Sequence, residues 1–434
     1  MQTENNGGTA SVVSEAGTHR DHILKDSMIL FIATVLMNGF KFLYHMYTSR
    51  VLGPEKYGIL VTFLGLLIIL TIPALSLQMT ISKKTTRFKT QGKLGSVRAL
   101  FFSTSRWFLL LGIGACIILL ILQKPLCTFF HINDPFFVII LAVIVIINLL
   151  LPVVKGILQG MQRFISFGAV ISSDAILKVF YVFVLFKLGI MLRGALSSNL
   201  ISIGSVYIIS TGLLLYFLTK KAPQPQAEDT SISKKEIFGY ALPVFASMLG
   251  FSLLGYLDVL LVKHFFNDYN AGLYSATSIV GKAFLFFPDA IAMVLFPKVS
   301  EKFELKLDTR SLLLKGLALT FGISLTGVAF CWFFPRLVIT ILFGEKFLGV
   351  APIVQYFGLA ILPLVLLNVI IQYSLAVHRY VFLIFMYMGI ILYVFLLWFF
   401  HDTFFHVLRA LFFSNLFILM MSVIFLMIKK RNAP

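Results

Sequence analysis

Charge is what this 434-residue chain has least of: 12% of its residues are Asp, Glu, Lys or Arg, against roughly 25% in an average soluble domain. Acidic residues are scarcer still, 18 against 36 basic. So little charge cannot cover a water-soluble globule, and an apolar fraction of 59% with a mean hydropathy of +0.96 belongs to a chain that faces lipid. Cys116, Cys127 and Cys331 are too few and too scattered for a disulfide framework or a thiolate metal site. The eight histidines lack metal-ligand spacing: His19 and His22 sit in the polar first segment, and His401 and His406 flank a turn. No metal or cofactor is expected. A glycine-rich phosphate loop is missing as well, so any transport must draw on an ion gradient, the membrane potential or consumption of product. No alternating ten-residue strands occur, which excludes a barrel and leaves a helical bundle, whose helices satisfy their own backbone in hydrocarbon.

What is present is a series of long apolar runs. A window of about 19 residues finds six between Met28 and Phe217 and six between Ile237 and Met427, each able to cross about 30 Å of hydrocarbon. The expected organisation is a flexible cytoplasmic tail (1–26), a six-helix lobe (27–218), a polar linker (219–235), a second six-helix lobe (236–428) and a basic tail (429–434). The tail 1–26 has no apolar core and is not read as a secretory signal. With the N-terminus inside, the cytoplasmic segments collect more than twice as many basic residues as the external ones, Lys83, Lys84, Arg87, Lys89 and Lys93 among them. Both termini are then cytoplasmic. In a soluble protein the net charge of +18 would suggest nucleic acid; here it is a topology signal, aided by attraction to anionic lipid, and no nucleic-acid partner is expected.

The second half reads as a copy of the first at an offset of about 213 to 216 positions. Gly58 opens a span as Gly272 does, Pro73 corresponds to Pro288, Gln162-Arg163-Phe164 to His378-Arg379-Tyr380, and Ser198-Asn199-Leu200 to Ser414-Asn415-Leu416. Repeats with an even number of spans share one orientation, so the predicted fold is all-α, with twelve transmembrane helices in two parallel six-helix repeats.

Four local strings stand in a recognisable order among these spans: Arg50-Val-Leu-Gly-Pro-Glu-Lys-Tyr-Gly58, Leu158-Gln-Gly-Met-Gln-Arg-Phe164, Ala271-Gly-Leu-Tyr-Ser-Ala276 and Phe343-Gly-Glu-Lys-Phe347. With them the chain resembles, over roughly residues 25 to 428, the polysaccharide transporter or oligosaccharide flippase family of the multidrug/oligosaccharidyl-lipid/polysaccharide exporter superfamily. The resemblance implies a V-shaped pair of six-helix lobes in the cell membrane that moves lipid-linked oligosaccharide, expected to be undecaprenyl-diphosphate-linked, to the outer leaflet. Its partners would be that lipid, the membrane lipids and the polysaccharide synthesis machinery. The strings lie in loops, so they carry no substrate-binding residue over.

Candidate site residues come instead from charges inside spans, which cost about 2.5–3.5 kcal/mol each on insertion scales and so face a cavity or a partner. Lys41 lies on one helix face with Asn38 and His45 and has no acidic residue in its own span. Asp174 and Lys178 are spaced i, i+4 with the acid first, which suits an ion pair. Asp258 lies in the seventh span, and Lys282 and Asp289 lie two turns apart in the eighth. Arg106 is close enough to its span end to snorkel to the headgroups. Lys41, Asn38, His45, Lys178 and Lys282 are therefore the expected substrate contacts, and Asp174, Asp258 and Asp289 the coupling or structural carboxylates. A multidrug extruder of the same fold is the nearest rival, but the first span carries Lys41 where extruders commonly place a carboxylate. A membrane glycan polymerase would need catalytic groups in a sizeable external loop, and the external segments are all short.

Overall fold

A computed structural model describes residues 7–221, 242–285, 291, 299–300 and 302–428, with side chains described from residue 28 up to 219 in the first stretch. Asp289, most of the linker 219–235 and the tail 429–434 lie outside the described residues. Among the described residues every regular element is helical. The N-terminal half comprises α1 (Gly7–Thr90), α2 (Leu94–Ile121), the short α3 (Gln123–Phe129), α4 (Phe136–Gly160), α5 (Phe164–Lys187) and α6 (Leu192–Lys221). The C-terminal half comprises α7 (Leu242–Phe265), α8 (Asp268–Ala283), α9 (Arg310–Phe333), the short α10 (Pro335–Leu342), a 3-10 turn (Glu345–Val350), α11 (Ala351–Ala376), α12 (Phe382–Phe399) and α13 (Phe404–Ile428). Ten of the described helices are long and apolar enough to cross a bilayer.

The helix α1 runs through most of the segment 1–26 expected as a flexible tail. No proline precedes Pro54, and extending a helix already nucleated by its apolar part costs little. The same helix is too long for one crossing, and Gly53 divides it: with φ 72° and ψ 174° it leaves the helical region, which glycine tolerates and the following proline favours. Pro54 then restarts the helix with its φ already set. The bend is sharp. His45 Nδ1 lies 3.1 Å from the Tyr57 hydroxyl, although twelve residues of straight helix would separate them by about 18 Å.

The two halves use the same element order: a long helix, a short one, then three long ones, following a kinked or paired start. Their left-handed turn residues recur at the offset of the sequence repeat, with Gly92 matched by Lys306, His131 by Gly344 and Gln162 by His378. In both halves the fourth long segment is enclosed and the third is peripheral: 72% of the most apolar stretch of α4 and of α11 is buried, against 22% in α2 and α9. The outward faces of α2 and α9 carry Ile117, Ile118, Ile121, Leu314 and Leu319, all exposed and suited to lipid.

The halves meet where Gly58 faces Gly272. A Cβ on Gly58 would lie 2.8 Å from the Gly272 nitrogen, and one on Gly272 only 1.8 Å from the Pro54 carbonyl oxygen. Only glycine permits two backbones to approach so closely. Around this contact Tyr57 packs edge-on to Phe343 and Phe347, and the Arg50 guanidinium donates to the Thr340 and Ile341 carbonyls at the end of α10.

Candidate functional site: a lysine cluster in the N-terminal half

Four helices of the N-terminal half bring polar side chains together inside an apolar wall. The first arm of α1 supplies Lys41, Tyr44 and His45, one helical turn apart; α4 supplies Lys155, α5 Asp174 and Lys178, and α6 Asn199 and Ser202. Lys178, Lys155 and Lys41 all lie within electrostatic reach of the Asp174 carboxylate. Ser202 donates to Asp174 Oδ1 at 3.0 Å. The Lys178 ammonium stands 5.8 Å from the centre of the Tyr44 ring and forms no ion pair with Asp174, so the i, i+4 spacing does not close on itself. Tyr44 is fixed from behind: its hydroxyl donates to the Ala195 carbonyl at 2.9 Å and accepts from Asn199 Nδ2 at 3.0 Å. Three lysines thus surround one carboxylate, and among the described residues none of the three makes an ion pair. Lys41 is exposed yet closely surrounded by protein atoms, the combination expected of a side chain that lines a cavity.

The C-terminal half holds a different arrangement. Asp258 on α7 is 1% exposed and accepts three hydrogen bonds from α8: Lys282 Nζ at 3.0 Å, Ser278 Oγ at 2.9 Å and the Tyr274 hydroxyl at 3.3 Å. Lys282 also lies 4.8 Å from the centre of the Tyr256 ring. Among the described residues Lys282 thus pairs with Asp258 on the neighbouring helix; Asp289, to which the two-turn spacing pointed, lies outside them. His45 ties the two arrangements together, since Lys41, Lys178 and Lys282 all lie within its electrostatic reach. Asn38, one turn before Lys41, is half-buried and makes no side-chain hydrogen bond among the described residues. No group of three or more His, Cys, Asp or Glu among the described residues is placed to hold a metal ion.

Lys155 is the residue that sequence reasoning misplaced. Counted with the cytoplasmic basic residues, it lies inside α4, which continues to Gly160, and is surrounded by protein. The signal available was the apolar run Leu149-Leu-Leu-Pro-Val-Val154 on one side and the helix-compatible Gly156-Ile-Leu-Gln159 on the other. Chemically the cluster carries an excess of basic side chains over its one carboxylate. Excess ammonium groups in a low-dielectric wall repel one another, and an entering phosphate would meet several charge-assisted donors at once.

Residues 48–352 match the family described as polysaccharide biosynthesis protein. The chain belongs to that family. Among relatives of this member, an uncharacterized membrane protein of Methanocaldococcus jannaschii is 24% identical over 333 residues, covering 73% of this chain and 75% of the relative. A probable low-salt glycan biosynthesis flippase, Agl15 of Haloferax volcanii, is 24% identical over 283 residues, which is 64% of this chain and 56% of that protein. Among solved structures, the inward-facing conformation of a multidrug resistance MATE family transporter of the MOP superfamily superposes with a TM-score of 0.77 at 16% identity, covering 92% of this chain and 96% of that one. An outward-facing conformation of a MATE family transporter gives 0.63 at 15% identity over 94% and 97%. The family member is a multi-pass membrane protein with a MATE-like fold.

Proposed function

We propose that this protein moves a polyprenyl-diphosphate-linked oligosaccharide, undecaprenyl being the expected carrier, from the cytoplasmic to the outer leaflet by alternating access of two six-helix lobes, 27–218 and 236–428. Twelve crossings with both termini cytoplasmic accompany this reading: the two arms of α1, α2, α4, α5 and α6, then α7, α8, α9, α11, α12 and α13. The observation that carries it is the cluster of Lys41, Lys155 and Lys178 around the single carboxylate of Asp174. A diphosphate leaving the headgroup layer loses water at several kcal/mol per charge, and the cluster offers more cations than its one carboxylate can match. The hydrocarbon tail stays in lipid while the head crosses. The contact between Gly58 and Gly272 fits a state in which the external end is closed.

The cation-coupled multidrug extruder draws on the fold shared with MATE transporters. Against it, Asp258 is engaged by three donors and Asp174 stands among three lysines, which would repel a cationic drug. Deleting the gene and identifying the lipids that accumulate separates the two. Build-up of one lipid-linked oligosaccharide is expected; drug hypersensitivity without any such build-up overturns the flippase reading. Topology is tested by cysteines at Gln226 and Asn270, expected to label from opposite sides of the membrane.

A further inference from the structure

The cytoplasmic-side turns of the two repeats differ in one respect. In the N-terminal half they lock together: Lys89 Nζ donates to Gln162 Oε1 at 2.7 Å, Thr86 donates to the Gly160 carbonyl at 3.1 Å, and the Arg163 guanidinium lies over Phe217, 3.8 Å from its centre. In the C-terminal half the corresponding turns, carrying Lys306 and His378 in the left-handed region, meet through the Phe303 and His378 rings, 6.4 Å apart, and border a cavity of about 430 Å³. That volume is within the roughly 300–1,000 Å³ of small-molecule sites.

We propose that this cavity binds one anionic phospholipid of the cytoplasmic leaflet, phosphate at the rim and acyl chain within. The rim carries Lys306, Arg310 and Arg379, and none of the three makes an ion pair among the described residues. The acidic group beside them, Asp308, turns one oxygen to the backbone N–H of Arg310 at 3.2 Å, capping α9. The N-terminus of α9 adds its own partial positive charge. Below the rim the walls are hydrocarbon, with Leu313, Leu314 and Leu317 of α9 facing Val423 and Leu426 of α13. Between rim and walls stands a hydroxyl pair, Thr309 Oγ1 and the Tyr373 hydroxyl, 2.8 Å apart. Cations above, hydroxyls at the junction and hydrocarbon beneath follow the polarity profile of a glycerophospholipid. A free anion would leave the apolar walls unfilled, and a neutral lipid would leave three cations unmatched. Leu314, 63% exposed, marks the side open to the bilayer. The leaflet assignment rests on the orientation proposed above; the chemistry of the cavity does not depend on the transported cargo.

The test uses the purified full-length protein in detergent, titrated separately with dioleoylphosphatidylglycerol, dioleoylphosphatidylcholine, undecaprenyl phosphate and inorganic phosphate, with bound species read by native mass spectrometry. One phosphatidylglycerol is expected to bind about tenfold or more tighter than phosphatidylcholine. The pair Arg310→Gln and Arg379→Gln should remove most of that preference, while Arg310→Lys with Arg379→Lys keeps it. Leu317→Trp should exclude the lipid with every charge in place, and Lys41→Ala should leave binding unchanged, because it sits in the other half. Equal binding of the neutral lipid, or unchanged binding in the Gln pair and in Leu317→Trp, overturns the proposal. Tighter binding of undecaprenyl phosphate that the Gln pair abolishes and Lys41→Ala leaves intact assigns the cavity to the cargo lipid, and inorganic phosphate competing as well as the lipid reduces it to a surface anion site. Either result also overturns the proposal. Since binding is read without transport, failure here is distinct from failure of the flippase reading.

Discussion

The two buried charge clusters stand at related places in the two repeats and obey opposite rules. In the C-terminal half one carboxylate, Asp258, has three donors, among them its counter-ion Lys282. In the N-terminal half three lysines share one carboxylate, whose hydrogen bond comes from a neutral serine. Tyr44 is the repeat counterpart of Asp258 at an offset of 214, so a position that is an anion in one half is a neutral hydroxyl in the other. A satisfied ion pair adds rigidity and order, whereas an unsatisfied set of cations stores repulsion that an anionic ligand relieves. Under the proposed function, the C-terminal cluster serves stability and the N-terminal one cargo recognition.

The strongest way to break this contrast is to remove Asp258. With Lys282 left buried and unpaired, Asp258→Ala should cost about 3–5 kcal/mol, visible as a large fall in melting temperature and in protein yield. Asp258→Leu combined with Lys282→Met should be milder than either single change, because no orphan charge remains. If Asp258→Ala melts like the wild type, the pair is not the structural element described.

Next in size is Lys41. Losing a charge-assisted contact worth roughly 1.5–3 kcal/mol should lower export by about tenfold to a hundredfold in Lys41→Ala, and reversing the charge in Lys41→Glu should abolish it. Melting temperature should stay unchanged in both. Lys41→Arg should retain partial function, since charge matters more here than ammonium shape. Lys155→Met should resemble Lys41→Ala. Normal export by stably folded Lys41→Glu would remove the anion-site reading altogether.

These two clusters also mark how far the amino-acid sequence could be read. Lys41, Lys178 and Lys282 stand out because a cation inside an apolar run is costly enough to need a reason. Lys155 does not, because it lies near enough to a helix end to pass for a flanking charge. Spacing within one helix can nominate only partners on that helix, which is why Lys282 pointed to Asp289 and not across to Asp258. Tyr44, Asn199 and Ser202 are neutral and common in helices, and only the fold gives them a role. The repeat matched Gly58 with Gly272, and that the two touch is a fact of three dimensions.

The contact between these glycines allows a third, intermediate test. Every atom crowding the added methyl is backbone, so relief requires the helices to part, at about 1–3 kcal/mol as for other overpacked sites. Gly272→Ala, whose Cβ would meet an oxygen at 1.8 Å, should be worse than Gly58→Ala at 2.8 Å. Both should shift the protein away from the conformation in which this end is closed, measurable as reduced cross-linking between cysteines placed at Glu55 and Tyr269. Equal cross-linking in wild type and variants would show that the contact does not hold the halves.

The smallest effect is expected from the loops, where the contrast between the halves reappears at the surface. Arg193 Nε donates to Asp134 Oδ2 at 2.9 Å, whereas its repeat counterpart Arg409 forms no ion pair among the described residues. The Arg193 hydrogen bond, aided by the Phe136 backbone N–H at 3.1 Å, holds the Asp134 carboxyl below the usual carboxylate range. A carboxyl so lowered contributes stability above its unfolded pKa, near 3.9, and loses it as pH falls through the lower folded value. With side chains 37% and 64% exposed, Asp134 and Arg193 are screened by solvent, and such pairs contribute little. Arg193→Ala should therefore move the melting temperature at pH 7 by about 1 °C or less, and that difference should shrink as pH falls below about 4 and vanish once pH is below the lowered folded value, where the carboxyl has lost its charge. Salt should erase it too. A larger shift at pH 7, or one that grows as pH falls, would mean that Arg193 holds the turn before α4 by something other than this ion pair. The loops of the N-terminal half would then be as structurally committed as the buried pair of the C-terminal half.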